Sequence, residues 1–166
     1  MDDILISDAL AFLKKNYVAV LATSYLNLPY ASIIYYTVDD KLNFYFVTKT
    51  NTDKYLNLKV NKNVALAIGD GPNHISVQVR GHVTMLKDKR WKDRIRNSIE
   101  SILKDKKIKM WPIIKIQELQ AKNKDLDEEI VYKVIPQHLV FTNLDDVSLP
   151  NSMGNSRHVI VPLIKK

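Results

Sequence analysis

Hydrophobic and polar positions follow two rhythms along this chain, and the places where one replaces the other mark out its elements. Residues 2–15 put Leu5, Ala9, Phe12 and Leu13 on one stripe at helical spacing, with Asp2 and Asp3 at the positive end of the helix dipole, which predicts a short amphipathic helix. Residues 17–24, 30–38 and 42–48 are rich in Val, Ile, Tyr, Phe and Thr and are separated by short polar breaks. They read as three strands of an antiparallel meander. A short helix is predicted over 51–60, with Thr52 as N-cap and Tyr55 and Leu58 spaced to face a core. Two more strands, 64–68 and 75–86, flank a Gly/Asp/Pro turn at 69–72. Gly81 inside the second predicts a bulge or a close backbone approach.

From Asp88 the period turns helical: Trp91, Ile95, Ile99 and Ile102 recur on one face, while Lys89, Arg90, Lys92 and Arg96 lie largely off it. Pro112 then opens a second helix through Ile113, Ile116 and Leu119, which frays into a charged segment at 122–129, and strand character returns over 131–141. The tail from Asn143 carries a late apolar run at 159–164, suited to a sheet edge or to a subunit interface.

At 166 residues and 46% apolar composition the chain is of a size for one domain with its own core. With no cysteine, disulfides, thiolate metal sites and cysteine nucleophiles are excluded together, and any redox chemistry needs a bound cofactor. An acidic N-terminus and the lack of a long apolar run lead to the expectation of a cytoplasmic protein without a membrane span. The formal charge of +7 is concentrated, since residues 87–124 hold thirteen Lys/Arg against five Asp/Glu. A nucleic-acid or membrane contact is one reading of that run; the solvated face of the helix after Asp88 accounts for it without a ligand, so neither partner is expected.

Candidate chemistry centres on residues 44–54, where a strand ends in hydroxyls and lysines just as a helix begins. The hydroxyls of Thr48, Thr50 and Thr52, the ammonium groups of Lys49 and Lys54, and the free amides of a helix N-terminus suit a phosphate. His74, His82, His138 and His158 lack metal-ligand spacing, and no GxSxG, HExxH, GxxxxGK or GxGxxG occurs. Tyr35, Tyr36, Trp91 and Trp111 are candidates to stack on an aromatic ligand, with core packing as the alternative.

Several local patterns, taken with the order of elements, resemble the pyridoxamine 5′-phosphate oxidase-like family. Leu21, Ala22 and Thr23 followed by Pro29 are similar to its ALATxxxxxP hairpin. Thr48, Thr52 and Lys54 match its TxxxSxK phosphate pattern, and Asn57, Leu58, Asn61 and Val64 match NLxxNPxV, with Lys62 in place of proline. Residues 77–81 resemble its long glycine-ended strand. The resemblance implies a mainly β (α+β) fold: a six-stranded antiparallel split β-barrel with flanking helices over residues 1–142, and residues 143–166 as a tail on the barrel or the dimer interface.

It also implies FMN bound between the subunits of a homodimer. Carried over by position, Ser32, Ile33 and Ile34 would lie along the flavin ring or ribityl chain, and Val47, Thr48, Lys49, Thr52 and Lys54 would hold the phosphate. Ser76 or Gln78 would reach the cofactor from the long strand. Ser32 and Asp53 stand where pyridoxamine phosphate oxidases carry arginine, and their C-terminal substrate signature survives only around Lys133 and Pro136, with Thr142 at a tryptophan position. These departures favour the general-stress-protein-like branch over vitamin B6 oxidation. The implied function is that of an FMN-dependent oxidoreductase acting on a small-molecule substrate; the alternative is a non-catalytic flavin or haem carrier or sensor of the same fold.

Overall fold

The computed structural model of the protein describes residues 2–69, 75–106, 128–143 and 156–159. The elements run α1 (Asp2–Lys15), β1 (Val18–Tyr25), β2 (Leu28–Val38), β3 (Phe44–Lys49), α2 (Asp53–Val60), β4 (Asn63–Ile68), β5 (Ile75–Met85), α3 (Lys89–Asp105), β6 (Glu129–Asn143) and β7 (Ser156–Val159). Every strand pairing is antiparallel. The strand order β3-β2-β1-β4-β5-β6 closes on itself through a β3–β6 pairing, giving the six-stranded barrel the resemblance implied, with α1, α2 and α3 around it. β7 is an additional strand, laid against β6 outside that closed ring.

Period-two alternation explains the wall. In β1, Ala19, Leu21 and Thr23 are buried, whereas Val18 and Val20 face outward. Leu21, Ile34, Phe44, Phe46, Leu66, Val77, Val79, Tyr132 and Leu139 form one interior cluster, joined by Ala9 and Leu13 of α1 and Leu58 of α2. A second cluster lies on the outer side of β3 and β6, where Tyr45 and Val131 pack against Ile95, Ile99 and Leu103 of α3. Residues 95, 99 and 103 recur every four positions, as one stripe of a helix must. Trp91, assigned to that stripe from the sequence, is 48% exposed; it lies against Tyr45 with ring centroids 6.4 Å apart.

β6 serves two partners along one edge. Its first half pairs with β3 from Glu129 to Val134, and its second pairs with β7 from Leu139 to Thr142. Between them the register against β5 slips: Arg80 faces His138 but Gly81 faces Pro136, which leaves Gln137 extra. A Cβ on Gly81 would stand 2.5 Å from the Ile135 carbonyl oxygen, so the sequence expectation of a bulge and of a close approach both hold at this residue. Pro136, with no N–H to donate, sits at the irregularity.

β6 runs two residues beyond the 131–141 reading at each end, and two strand starts differ from the sequence reading because of turn chemistry. Leu26 (φ 45°) and Asn27 (φ 64°) make a two-residue turn, so β2 starts at Leu28 instead of residue 30. The third strand starts at Phe44 because Leu42 takes φ 61° in a loop gathered by Asp39. Asp39 accepts hydrogen bonds from the backbone N–H groups of Lys41 and Asn43, the Asn43 amide and the Tyr45 hydroxyl. The helix predicted after Pro112, with Trp111, lies outside the described residues, as does most of the apolar run at 159–164. Among the described residues no helix is long and apolar enough to cross a membrane.

Candidate functional site

Three residue pairs join β1 to β4, and three join β2 to β3. β2 and β3 pair only over Tyr36–Val38 and Phe44–Phe46, so β2 from Tyr35 back toward Leu28 separates from β3 while β3 continues along β6 to Lys49. Beyond Lys49 the chain turns directly into α2, which packs on β1 and β3. Strand separation, strand end and helix start therefore fall together.

Parity decides which candidate side chains enter this end of the barrel. Ser32 lies opposite Leu21 and shares the inward face of Ile34 and Tyr36. Its Oγ is buried and has no hydrogen-bond partner in the protein. A buried hydroxyl left in that state is costly, which makes Ser32 fit a ligand that brings a polar atom to it. Thr48 is inward as well, opposite Ile130, and 6% exposed. Ile34 is a core residue at 5% exposure, so only its backbone could meet a ligand.

Thr52 is the N-cap of α2: its Oγ accepts from the Tyr55 N–H at 3.3 Å and donates to the Lys49 carbonyl at 2.9 Å. A hydroxyl has one proton, so in the 2.9 Å contact between the two threonines Thr48 is the donor. Both hydroxyls are thus already engaged in ordering the loop, which leaves lysine ammonium and helix amides as the free donors. Lys54 stands in the first turn, half-buried, and no ion pair among the described residues engages it. Burial pushes its ammonium below the ordinary lysine range, with the Asp53 carboxylate acting in the opposite direction.

The other candidates are on different surfaces. Val47 faces the α3 cluster, and Lys49 follows it on that side, opposite Glu129. Ile33, Ser76 and Gln78 are on the outer wall, the reverse side of the sheet from Ser32 and Thr48. There Ile33, Val20, Ala67, Gln78 and Val140 follow one another across five strands in register. Ile33 is 70% exposed in this row, beside a shallow depression of about 500 Å³. Among the proposed stacking aromatics, Tyr36 is a core residue whose hydroxyl donates to the Leu13 carbonyl at 3.0 Å, and Tyr35 packs against the α3 cluster.

Sequence reasoning did not assign roles to Thr23, Asn57 and Asn61, although all three stand in quoted motifs. The Asn57 amide donates to Thr23 Oγ at 3.0 Å, and the Asn61 amide to Ser24 Oγ at 2.8 Å, tying α2 to β1. The signal was present as two motifs, but only the fold shows that they touch. Lys62, in place of the family's proline, donates its Nζ to the Leu58 carbonyl at the end of α2.

A closed barrel, split between two strands at a helix N-terminus, defines a class, and residues 6–137 match the model of the pyridoxamine 5′-phosphate oxidase family. The chain belongs to that family. No curated protein matches it. Among solved structures it is similar to a Listeria innocua protein provisionally described as a pyridoxamine 5′-phosphate oxidase, at 23% identity and TM-score 0.61, covering 82% of this chain and 97% of that one. General stress protein 26 of Bacillus anthracis is similar at 15% identity and TM-score 0.59, covering 82% and 92%. An FAD-binding protein of Mesorhizobium loti is similar at 18% identity and TM-score 0.56, covering 80% and 88%. At these identities the likeness establishes the fold.

Proposed function

We propose that the protein binds FMN, with the phosphate at the α2 N-terminus and the flavin running along β2, and that it is an oxidoreductase acting on a small molecule. The observation that carries this reading is Lys54: a half-buried ammonium without an ion pair among the described residues, in a helix first turn, beside strands that separate. Family membership and a flavin-binding structural neighbour support a flavin as the ligand. The bound flavin would supply electron transfer. The chain supplies cation and amides for the phosphate, and the unmatched Ser32 hydroxyl.

The outer wall supports a homodimer, with the cofactor site at the subunit border. Val18 and Val20 are 38% and 42% exposed beside Ile33, an apolar surface of the kind a second copy covers. Packed there, the partner would bring Ile33, Ser76 and Gln78 out of solvent. In the cytoplasm, FMN would be available to such a dimer.

Purified protein is expected to be yellow with a flavin absorption spectrum, or to gain thermal stability when FMN is added, and to have the mass of two chains in solution. A colourless protein whose melting temperature FMN leaves unchanged overturns the reading. Bound flavin that NAD(P)H or another donor never reduces would leave a flavin-binding protein without oxidoreductase activity.

A further inference from the structure

α2 carries the candidate anion site, yet little apolar packing fixes where it lies. Leu58 alone in the helix is fully buried; Leu56 and Val60 are 52% and 64% exposed. Leu58 and the half-buried Tyr55, which packs against the same core, hold the helix to the barrel by non-directional contacts. Two side-chain hydrogen bonds add directional constraints. Asn57 and Asn61 are one turn apart and so share a face, and they donate to the consecutive residues Thr23 and Ser24 of β1. Thr23 is 4% exposed, so its contact is shielded from competing water.

We propose that Asn57 and Thr23 are positioning residues for the anion site. By fixing α2 against β1, they set where the Lys54 ammonium and the first-turn amides stand relative to β2 and β3. The proposal rests on the flavin reading above and adds to it that selectivity for a phosphorylated over an unphosphorylated flavin depends on a contact that touches neither. Thr52 caps the helix locally, whereas the Asn57–Thr23 bond couples it to the barrel; removing the bond leaves the helix intact but free to shift, and small shifts are costly for a charge-assisted contact.

The test uses the full chain with Thr23→Val, Asn57→Leu, the double variant, and Thr23→Ser as a conservative control that retains the hydroxyl. Titrations with FMN and with riboflavin are read alongside amide hydrogen exchange in α2 and in the barrel strands. Expected is a roughly tenfold weaker FMN affinity in each single variant with riboflavin affinity unchanged, no further loss in the double variant, and near-wild-type selectivity in Thr23→Ser. Exchange should quicken in α2 and not in the barrel. An FMN-to-riboflavin ratio that stays constant, or equal losses for both flavins, overturns the proposal and leaves the bond a purely structural one. Wild-type protein that binds neither flavin overturns the flavin reading instead. Inorganic phosphate is then the probe: protection of α2 amides by phosphate in wild type but not in Asn57→Leu sustains the positioning role, and any other pattern overturns it.

Discussion

Two regions that meet at Leu58 are held together by different physics. Inside the barrel, Phe44, Phe46, Val77 and Tyr132 are wholly buried, and Phe46 stacks on Tyr132 with centroids 5.5 Å apart. The α2 segment has one buried apolar side chain and a set of hydroxyl, amide and ammonium groups linked by directional contacts. Burial is non-directional and strong, so the barrel can define a stable frame without fine placement. Hydrogen bonds contribute less each but fix orientation, which an anion site requires. The stable region thus carries the weak one, and the candidate site lies where the smallest free energies decide geometry.

The largest expected effect comes from breaking the frame. Phe46→Ala should lower unfolding stability by about 3–5 kcal/mol in denaturant titration, because it leaves a cavity beside Tyr132. Gly81→Ala should cost roughly 1–3 kcal/mol by the same measurement, since its methyl would collide with the Ile135 carbonyl and force the bulge to move. A cost below a few tenths would show that the β5–β6 approach yields easily. On the α2 side, Thr52→Ala should cost about 1 kcal/mol through loss of the cap. Calorimetry should find Thr52→Ser close to wild type, because the hydroxyl is retained. A Thr52→Ala loss as large as that of Phe46→Ala would erase the contrast between the regions.

The smallest effect is a pH dependence from Lys54. Its folded-state pKa is lowered from the ordinary 10.5 by burial, so across that window the unfolded chain binds more protons and stability rises with pH. Tyr36, Tyr45 and Tyr132 act in the opposite sense, because burial raises their pKa values and stability falls as the unfolded chain ionises first. The measurement is therefore the difference between wild type and Lys54→Met. That difference should grow in favour of wild type as pH rises from neutral, and a flat difference would mean that the ammonium is solvated.

Much of the barrel was legible because its signals are local. Runs of β-branched and aromatic residues between turn signals marked β1 to β5, Thr52 marked the start of α2, and Gly81 marked a close approach that the fold realises as a bulge on β6. Strand limits at Leu28 and Phe44 were misjudged because Leu26, Asn27 and Leu42 adopt positive φ, a conformation that two leucines do not advertise. Trp91 continues the 95, 99, 103 series by one step, yet in the first turn of α3 it reaches only the edge of the cluster, against Tyr45.

By itself the sequence determined the element types, the antiparallel meander, the family and the loop of hydroxyls and lysines, all of which rest on neighbours within a few turns or strand residues. Tertiary structure alone decided which side of the sheet each candidate faces: Ser32 and Thr48 inward, Ile33, Ser76 and Gln78 outward. It also decided that Thr23 meets Asn57, 34 positions away. Barrel closure fixes such choices because joining β3 to β6 selects one register and one inner face for every strand at once.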